Sequence, residues 1–238
     1  MNLKNKKVLV TGGAVRIGRG ICRMFANHGS KIILHYNCSE SAAEKLFAEL
    51  GGVDKGHMLT KGDLTCQSYI SNLILSLGKI DILVNNASSF NDKPLDTEDL
   101  HLARQQYEIN FWAPLTLMQQ FRKQCSDEGL IINVLDQRVW SLNKNSGTYL
   151  LSKKSLADVT RLAALQWAPK IRVNGIAPGI VVPPVWMPNS KMQKSIAAIP
   201  MKRSTQISEI ANACIFLTEN NSVTGEIITL DGGLHLSR

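Results

Sequence analysis

Lys6–Gly18 reads KKVLVTGGAVRIG, and its two halves obey different rules. The valine-rich run Lys6–Thr11 has the continuous apolar character of a parallel strand buried on both faces. Glycines follow at Gly12, Gly13 and Gly18, and the amphipathic segment Arg19–His28 reads as a helix. Strand, glycine turn and helix in that order make a dinucleotide-phosphate site. Glycine lets the backbone approach a pyrophosphate, and the helix N-terminus turns its N–H groups toward it. A glycine pattern alone is a weak signal; set between a valine strand and a helix, it gains weight.

The same alternation continues outward. Strands read at Lys31–Tyr36, Gly56–Lys61, Ile80–Val84, Gly129–Leu135, Ile171–Ile176 and Glu226–Leu230. Between them lie helical segments at Glu40–Leu50, Cys66–Leu77, Thr97–Cys125, Lys154–Ala168 and Ile207–Thr218. About seven strands alternating with helices predict an α/β, Rossmann-like doubly wound parallel sheet with helices on both faces. No repeat, low-complexity run or linker divides the chain, so residues 1–238 are expected to form a single dinucleotide-binding catalytic domain. The segment Ile180–Thr205, with its prolines and methionines and little periodicity, is expected to be a substrate loop.

Bulk properties exclude several classes. The five cysteines (Cys22, Cys38, Cys66, Cys125, Cys214) are odd in number and scattered without a CxxC pair, which argues against a disulfide framework and against a zinc site. The net charge of +8 comes from dispersed Lys and Arg, with no basic run interleaved with aromatics. It suits an anionic cofactor or substrate, not a nucleic acid. No apolar run reaches the length of a membrane span and no signal-peptide pattern opens the chain, so a cytoplasmic protein is expected.

The candidate chemistry lies at the carboxyl ends of the strands, where open parallel sheets bind ligands. The turn Gly12, Arg16, Ile17, Gly18 would line the cofactor phosphates. The second strand ends His35-Tyr36-Asn37-Cys38-Ser39 with no acid before Glu40, which tolerates a 2′-phosphate and favours NADPH over NADH. Asn37, Ser39 and Arg16 would receive that phosphate; Ser39 is equally suited to cap the next helix. Asp63, before Leu64, can reach an adenine amine or cap a helix, and both readings stay open. Asn86, Ala87 and Ser88 follow the fourth strand, where paired amides brace the strand ends and Ala87 leaves room for a ribose. Asn110 lies inside the long helical stretch, either as a satisfied core amide or, with Pro114, at an opening in the helical ladder that can hold a water. Asp136 stands at the end of the fifth strand. Tyr149 and Lys153, at i and i+4 of a helix, put an ammonium beside a phenol, which favours the phenolate and makes it usable as an acid or base. Taken alone, that pair reads as an ordinary solvated helix face.

In their order along the chain, TGGAVRIG, NNAS, Asn110, YLLSK, RVNGIAPG and LDGG resemble the short-chain dehydrogenase/reductase family. The resemblance implies a nicotinamide cofactor, Tyr149 as catalytic acid/base, Lys153 lowering its pKa and binding the nicotinamide ribose, and Asn110 holding a water in a proton relay. It implies cofactor contacts from Pro178, Gly179 and Val181, and a homotetramer built on the long helices. Two departures narrow it. Asp136, thirteen positions before the tyrosine, stands where most members carry serine, and Arg16 replaces a glycine of the first turn. Both resemble the pteridine reductase subgroup and the related dihydromonapterin reductases, as do NASSF, LHYNCSESAAE and LDGGLHLSR. That likeness implies a pterin stacked on Phe90, with Ser88, Arg16, Asp136 and Tyr149 in contact with substrate. The subgroup's arginine after the second strand is Cys38 here, and the frequent threonine after the PG turn is replaced by Val181-Val182, leaving that contact to backbone.

The expected reaction is therefore NADPH-dependent reduction of a dihydropteridine (dihydromonapterin, dihydrobiopterin or dihydrofolate) to the tetrahydro form. The rival readings are a 3-oxoacyl-thioester or other carbonyl reductase of the same family, and a non-catalytic NADPH-sensing protein. The second is opposed by an intact Tyr149, Lys153 and Asn110.

Overall fold

Seven strands form one sheet in the computed structural model, which describes residues 1–143, 146–181 and 189–237. They are β1 (Lys7–Val10), β2 (Lys31–Tyr36), β3 (Met58–Lys61), β4 (Ile82–Asn85), β5 (Gly129–Val134), β6 (Ile171–Pro178) and β7 (Ile227–Leu230). Every pairing is parallel, in the order β3-β2-β1-β4-β5-β6-β7. The chain winds outward from β1 to β3 and then returns to place β4 on the other side of β1. That reversal opens a crevice above the carboxyl ends of β1 and β4.

The apolar strands supply two cores by alternation. Val8, Val10, Ile32, Leu34, Ile82, Val84, Leu130 and Ile132 pack with α1 (Arg16–Asn27), α2 (Glu40–Glu49) and α8 (Ile207–Glu219). Leu9, Ile33, Leu83, Ile131 and Val173 pack with α3 (Gln67–Leu77), α5 (Ala113–Gln124) and α6 (Thr148–Trp167) on the opposite face. Each fully buried Val, Leu or Ile contributes roughly 1.5–3 kcal/mol relative to exposure, so polar residues inside the strands must repay their burial with hydrogen bonds. They do: Asn85 donates to Asn133 at 2.8 Å, and Asn174 joins Val223 O at 2.9 Å. Arg172 donates to the carbonyls of Leu217 and Thr218.

Three departures from the sequence expectation have local causes. α1 begins at Arg16 rather than Arg19, because Gly18, read as turn, is packed as a buried helical residue. The long stretch Thr97–Cys125 is α4 (Leu100–Tyr107), a π-helical turn (Glu108–Trp112) and α5, so the expected opening of the ladder is present at Asn110. The expected loop Ile180–Thr205 instead contains the helix α7 (Asn189–Ala197). From Met192 onward α7 keeps no side chain in the core, so it carries no apolar stripe for sequence reading to find. Val182 lies outside the described residues.

Candidate active site

The glycine turn follows β1 through Thr11. Gly12 has φ +61°, open to glycine and strained for other residues, and a Cβ there would stand 3.1 Å from Ala87 Cα. On Gly18 a Cβ would stand 2.2 Å from Gly12 O and 2.6 Å from Asn86 Nδ2. Asn86 Nδ2 donates to Thr11 O at 2.8 Å and Gly12 O at 3.0 Å, while Thr11 Oγ1 accepts the N–H groups of Asn86 and Ala87, both at 3.0 Å. The paired amides therefore brace the strand ends. The result is a surface without side-chain bulk at the N-terminus of α1, whose first turn holds no acid. It fits the close backbone approach and positive end that a pyrophosphate requires.

The expected cofactor residues divide here. His35 is buried, and its ring braces the turn from within: Gly12 N–H donates to Nδ1 at 3.3 Å, and Nε2 pairs with Gly62 O at 3.1 Å. Burial pushes its pKa down to about 4, so it is a neutral ring whose Nε2 carries the proton. Both ring nitrogens therefore serve the fold, and a cofactor contact from His35 would fall to its backbone. Tyr36 is likewise buried, its hydroxyl donating to Glu40 at 3.3 Å. Lys61 Nζ meets the same carboxylate at 3.0 Å. Asn37 and Cys38 are exposed at the strand end. Ser39 occupies the N-cap position of α2 without a hydrogen bond from its hydroxyl to the helix. Asp63 Oδ1 accepts Thr65 N–H at 2.8 Å in the turn before α3, whose N-cap position is Cys66, so it braces a turn and does not cap that helix, and Leu64 is buried. Arg16 is exposed with a left-handed φ of 50°, and Ile17 is partly buried against the first core. Beyond Pro178, Gly179 N–H bonds to Leu230 O at 2.8 Å, and a Cβ on Gly179 would stand 2.7 Å from Asp231 Cα. Val181 packs against the first core.

The acid/base group is assembled from three elements. Asp136 leaves β5 in extended conformation and heads a 3₁₀ turn, Gln137–Trp140, its Oδ1 accepting Arg138 N–H at 2.9 Å. α6 is capped from a distance: Glu98 Oε2 accepts the Thr148 N–H at 2.9 Å and the Thr148 hydroxyl at 2.8 Å. With the helix so placed, Tyr149 donates its hydroxyl to Asp136 Oδ2 at 3.0 Å. Lys153 is buried one turn on, with Nζ donating to Val134 O at 2.9 Å. Burial pushes its pKa down to about 8. Phe90, half exposed, meets the Tyr149 ring edge-on with centroids 4.7 Å apart.

Two expectations change. Tyr149 was expected to have its pKa lowered by Lys153. Instead burial, and after it the charge of Asp136, raises the phenol well above its ordinary value, and the cation opposing the rise is Arg138. The phenol is held as a protonated acid. Asn110 is fully buried and its amide is saturated: Oδ1 accepts Ser88 Oγ–H at 3.0 Å and Ser89 N–H at 2.8 Å, while Nδ2 donates to Ser89 O at 2.9 Å and Ser152 Oγ at 3.2 Å. The core-amide reading holds for this side chain, which locks the Ser88–Ser89 loop, so holding a water would fall to its backbone.

Sequence reasoning missed Arg138. Its guanidinium reaches Asp136 Oδ1 through Nε and Oδ2 through NH2, both at 3.1 Å, and Asp92 Oδ2 through NH1 at 2.6 Å. It also reaches Ser146 Oγ at 3.1 Å, with its central carbon 5.1 Å from the Tyr149 ring centroid and 5.7 Å from that of Phe90. Burial works against its charge, but Asp136 and Asp92 outweigh burial and strengthen it. The one available signal was an arginine two residues after the candidate acid; its link to Asp92, 46 positions away, is visible only in the fold.

Comparison with known proteins bears on the family and the fold. A short-chain dehydrogenase family model described as enoyl-(acyl carrier protein) reductase matches residues 13–235. The chain is 29% identical to pteridine reductase 1 of Leishmania tarentolae, covering 97% of this chain and 96% of that protein. It is 30% identical to the 7alpha-hydroxysteroid dehydrogenase of Escherichia coli K12, over 98% of this chain and 95% of the other. Among solved structures, the FolM alternative dihydrofolate reductase 1 of Brucella canis, complexed with NADP, superposes with a TM-score of 0.92 at 34% identity. That match covers 99% of this chain and 96% of the other.

Proposed function

Because this chain belongs to the short-chain dehydrogenase/reductase family, we propose that it reduces a dihydropteridine to the tetrahydro form with NADPH. One observation carries the reading: a carboxylate, Asp136, accepts the Tyr149 hydroxyl where ketone reductases of the family present serine, and Phe90 stands beside them with its ring half exposed. A ketone oxygen needs a hydroxyl donor at that point. A dihydropterin instead brings a C=N bond and N–H donors on a flat ring, which suit a carboxylate and an aromatic face. The NADP-bound Brucella reductase and the Leishmania pteridine reductase support the same choice of cofactor and substrate class.

The residues divide the work. NADPH, when bound, supplies the hydride. Tyr149, held protonated by burial, delivers the proton to the ring nitrogen; Asp136 orients the hydroxyl and shares its proton. Lys153, fixed beside the end of β5, offers its ammonium to the nicotinamide ribose. Gly12, Gly18 and Ala87 receive the pyrophosphate and ribose, with Arg16 at the phosphates, and Asn37 and Ser39 face the 2′-phosphate. The backbone carbonyl of Asn110, which lies in the π-helical turn and finds at i+4 a proline without an N–H, Pro114, is the candidate water site of a proton relay. Exposed apolar side chains on α4 (Leu100, Leu102) and α6 (Leu151, Leu162, Leu165) support a homotetramer built on these helices. Five free thiols support a cytoplasmic setting, and no helix among the described residues is long and apolar enough to cross a membrane.

The test is NADPH oxidation with dihydromonapterin, dihydrobiopterin, dihydrofolate and an acetoacetyl thioester side by side. Turnover of one or more pterins is expected. Turnover of the thioester alone would overturn the reading in favour of carbonyl reduction.

A further inference from the structure

We propose that Arg138 is the positioning residue of this active site: it aims the Asp136 carboxylate at the Tyr149 hydroxyl and pins the Phe90 loop against both. The inference rests on the pterin-reductase reading for its substrate, and on geometry alone for the contacts. The guanidinium is mostly buried, at 13% side-chain exposure, between Asp136 at 16% and Asp92 at 18%. Every edge of its planar fork is used: Nε and NH2 clasp the two oxygens of Asp136, while NH1 divides between Asp92 and Ser146. Its face lies against the rings of Phe90 and Tyr149. Asp92 brings no other hydrogen bond to its second oxygen, Oδ1, which is buried without a partner among the described residues.

The charged and titratable groups facing Arg138 come from every surrounding element. The β4–α4 connection gives Asp92, the β5–α6 connection gives Asp136, and α6 gives Tyr149, with Lys153 close enough to feel Asp136. Without the guanidinium, two partly buried carboxylates would lose the cation that joins them, and Lys153 is bonded instead to Val134 O. Their like charges would then repel, and the Asp136 carboxylate, no longer clasped through both oxygens, would leave the line on which it accepts the Tyr149 hydroxyl. Lysine is no substitute, since a point charge can neither fork between two carboxylates nor lie flat on two rings.

The test compares Arg138→Met and Arg138→Lys with the parent enzyme in three measurements: pH profiles of kcat and KM for a dihydropterin, NADPH affinity by fluorescence, and crystal structures without substrate. Arg138→Met is expected to lower kcat by roughly 100-fold or more, the scale of a displaced acid/base group. In its structure the Asp136 carboxylate should no longer accept the Tyr149 hydroxyl and the Phe90 ring should leave that of Tyr149, with NADPH affinity nearly unchanged. Arg138→Lys should lower kcat and raise KM, because the ring of Phe90 is no longer held. An unmoved Asp136, Tyr149 and Phe90 in Arg138→Met, or a parent-like kcat in Arg138→Lys, would overturn the proposal. Should the Met variant not fold, the Lys variant decides by kcat and KM. If the parent turns over no dihydropterin, the pterin reading fails, and the substrate-free structures still judge the role of Arg138.

Discussion

Acidification should loosen the glycine turn through a single imidazole. His35 Nδ1 accepts Gly12 N–H and Nε2 binds Gly62 O, so a second ring proton has no acceptor and must displace the Gly12 contact. Its folded pKa is about 4 against an ordinary 6.5. Below 6.5 the unfolded chain therefore takes up a proton that the native ring refuses. Stability is whole above 6.5 and is lost as the pH falls toward 4. At about 1.4 kcal/mol per pH unit, the full loss is about 3 kcal/mol, of which about 2 kcal/mol is gone by about pH 5. Urea unfolding of the parent and of His35→Asn, at about pH 7.5 and about pH 5, isolates the effect. Asparagine keeps an acceptor for Gly12 and does not titrate, so its variant should start less stable yet lose about 2 kcal/mol less on acidification. NADPH affinity of the parent should hold through that window and fall only near pH 4, where the native ring itself takes up the proton and releases Gly12. Equal acid losses in the two proteins would refute the argument and assign acid sensitivity to other groups.

Other perturbations have equally direct outcomes. Tyr149→Phe removes the proton donor and should lower kcat by roughly 100- to 10,000-fold with NADPH binding nearly intact, measured by turnover and fluorescence titration. Asp136→Ser should damage pterin reduction more than any ketone reduction, and an unchanged pterin rate would remove Asp136 from the mechanism. Gly18→Ala puts a Cβ 2.2 Å from Gly12 O, so NADPH binding should be lost before the overall fold, as seen by comparing cofactor titration with circular dichroism. Glu98→Ala removes both bonds to Thr148 at the start of α6 and should cost about 1 kcal/mol or more in denaturant unfolding, with a fall in kcat that Tyr149 itself does not explain.

The sheet was legible in the sequence because strands buried on both faces read as unbroken apolar runs, and β2 starts and stops where KIILHY does. Tyr149 and Lys153 were legible as neighbours from their i, i+4 spacing, while it was the family resemblance that set Asp136 and Phe90 beside them. What escaped depends on packing rather than pattern. His35 sits in a row of candidate ligands, yet its ring turns into the protein, and no local rule tells an inward strand-end histidine from an outward one. The direction of the Tyr149 shift was misjudged because spacing shows that a lysine is near but not that burial outweighs it. α7 escaped because a helix lying on the surface has no stripe to display. Arg138 escaped because its partners Asp92 and Ser146 come from segments on either side of it in sequence, and only the folded chain closes that ring.

The connection between β4 and α4 carries more than one duty. Phe90 supplies the ring face, Asp92 anchors Arg138, and Glu98 caps the helix bearing Tyr149. Any attempt to graft a new substrate preference by exchanging that connection would therefore also shift the tyrosine and its carboxylate. Selectivity is easier to retrain from elsewhere around the cleft, with this stretch kept as one indivisible cassette.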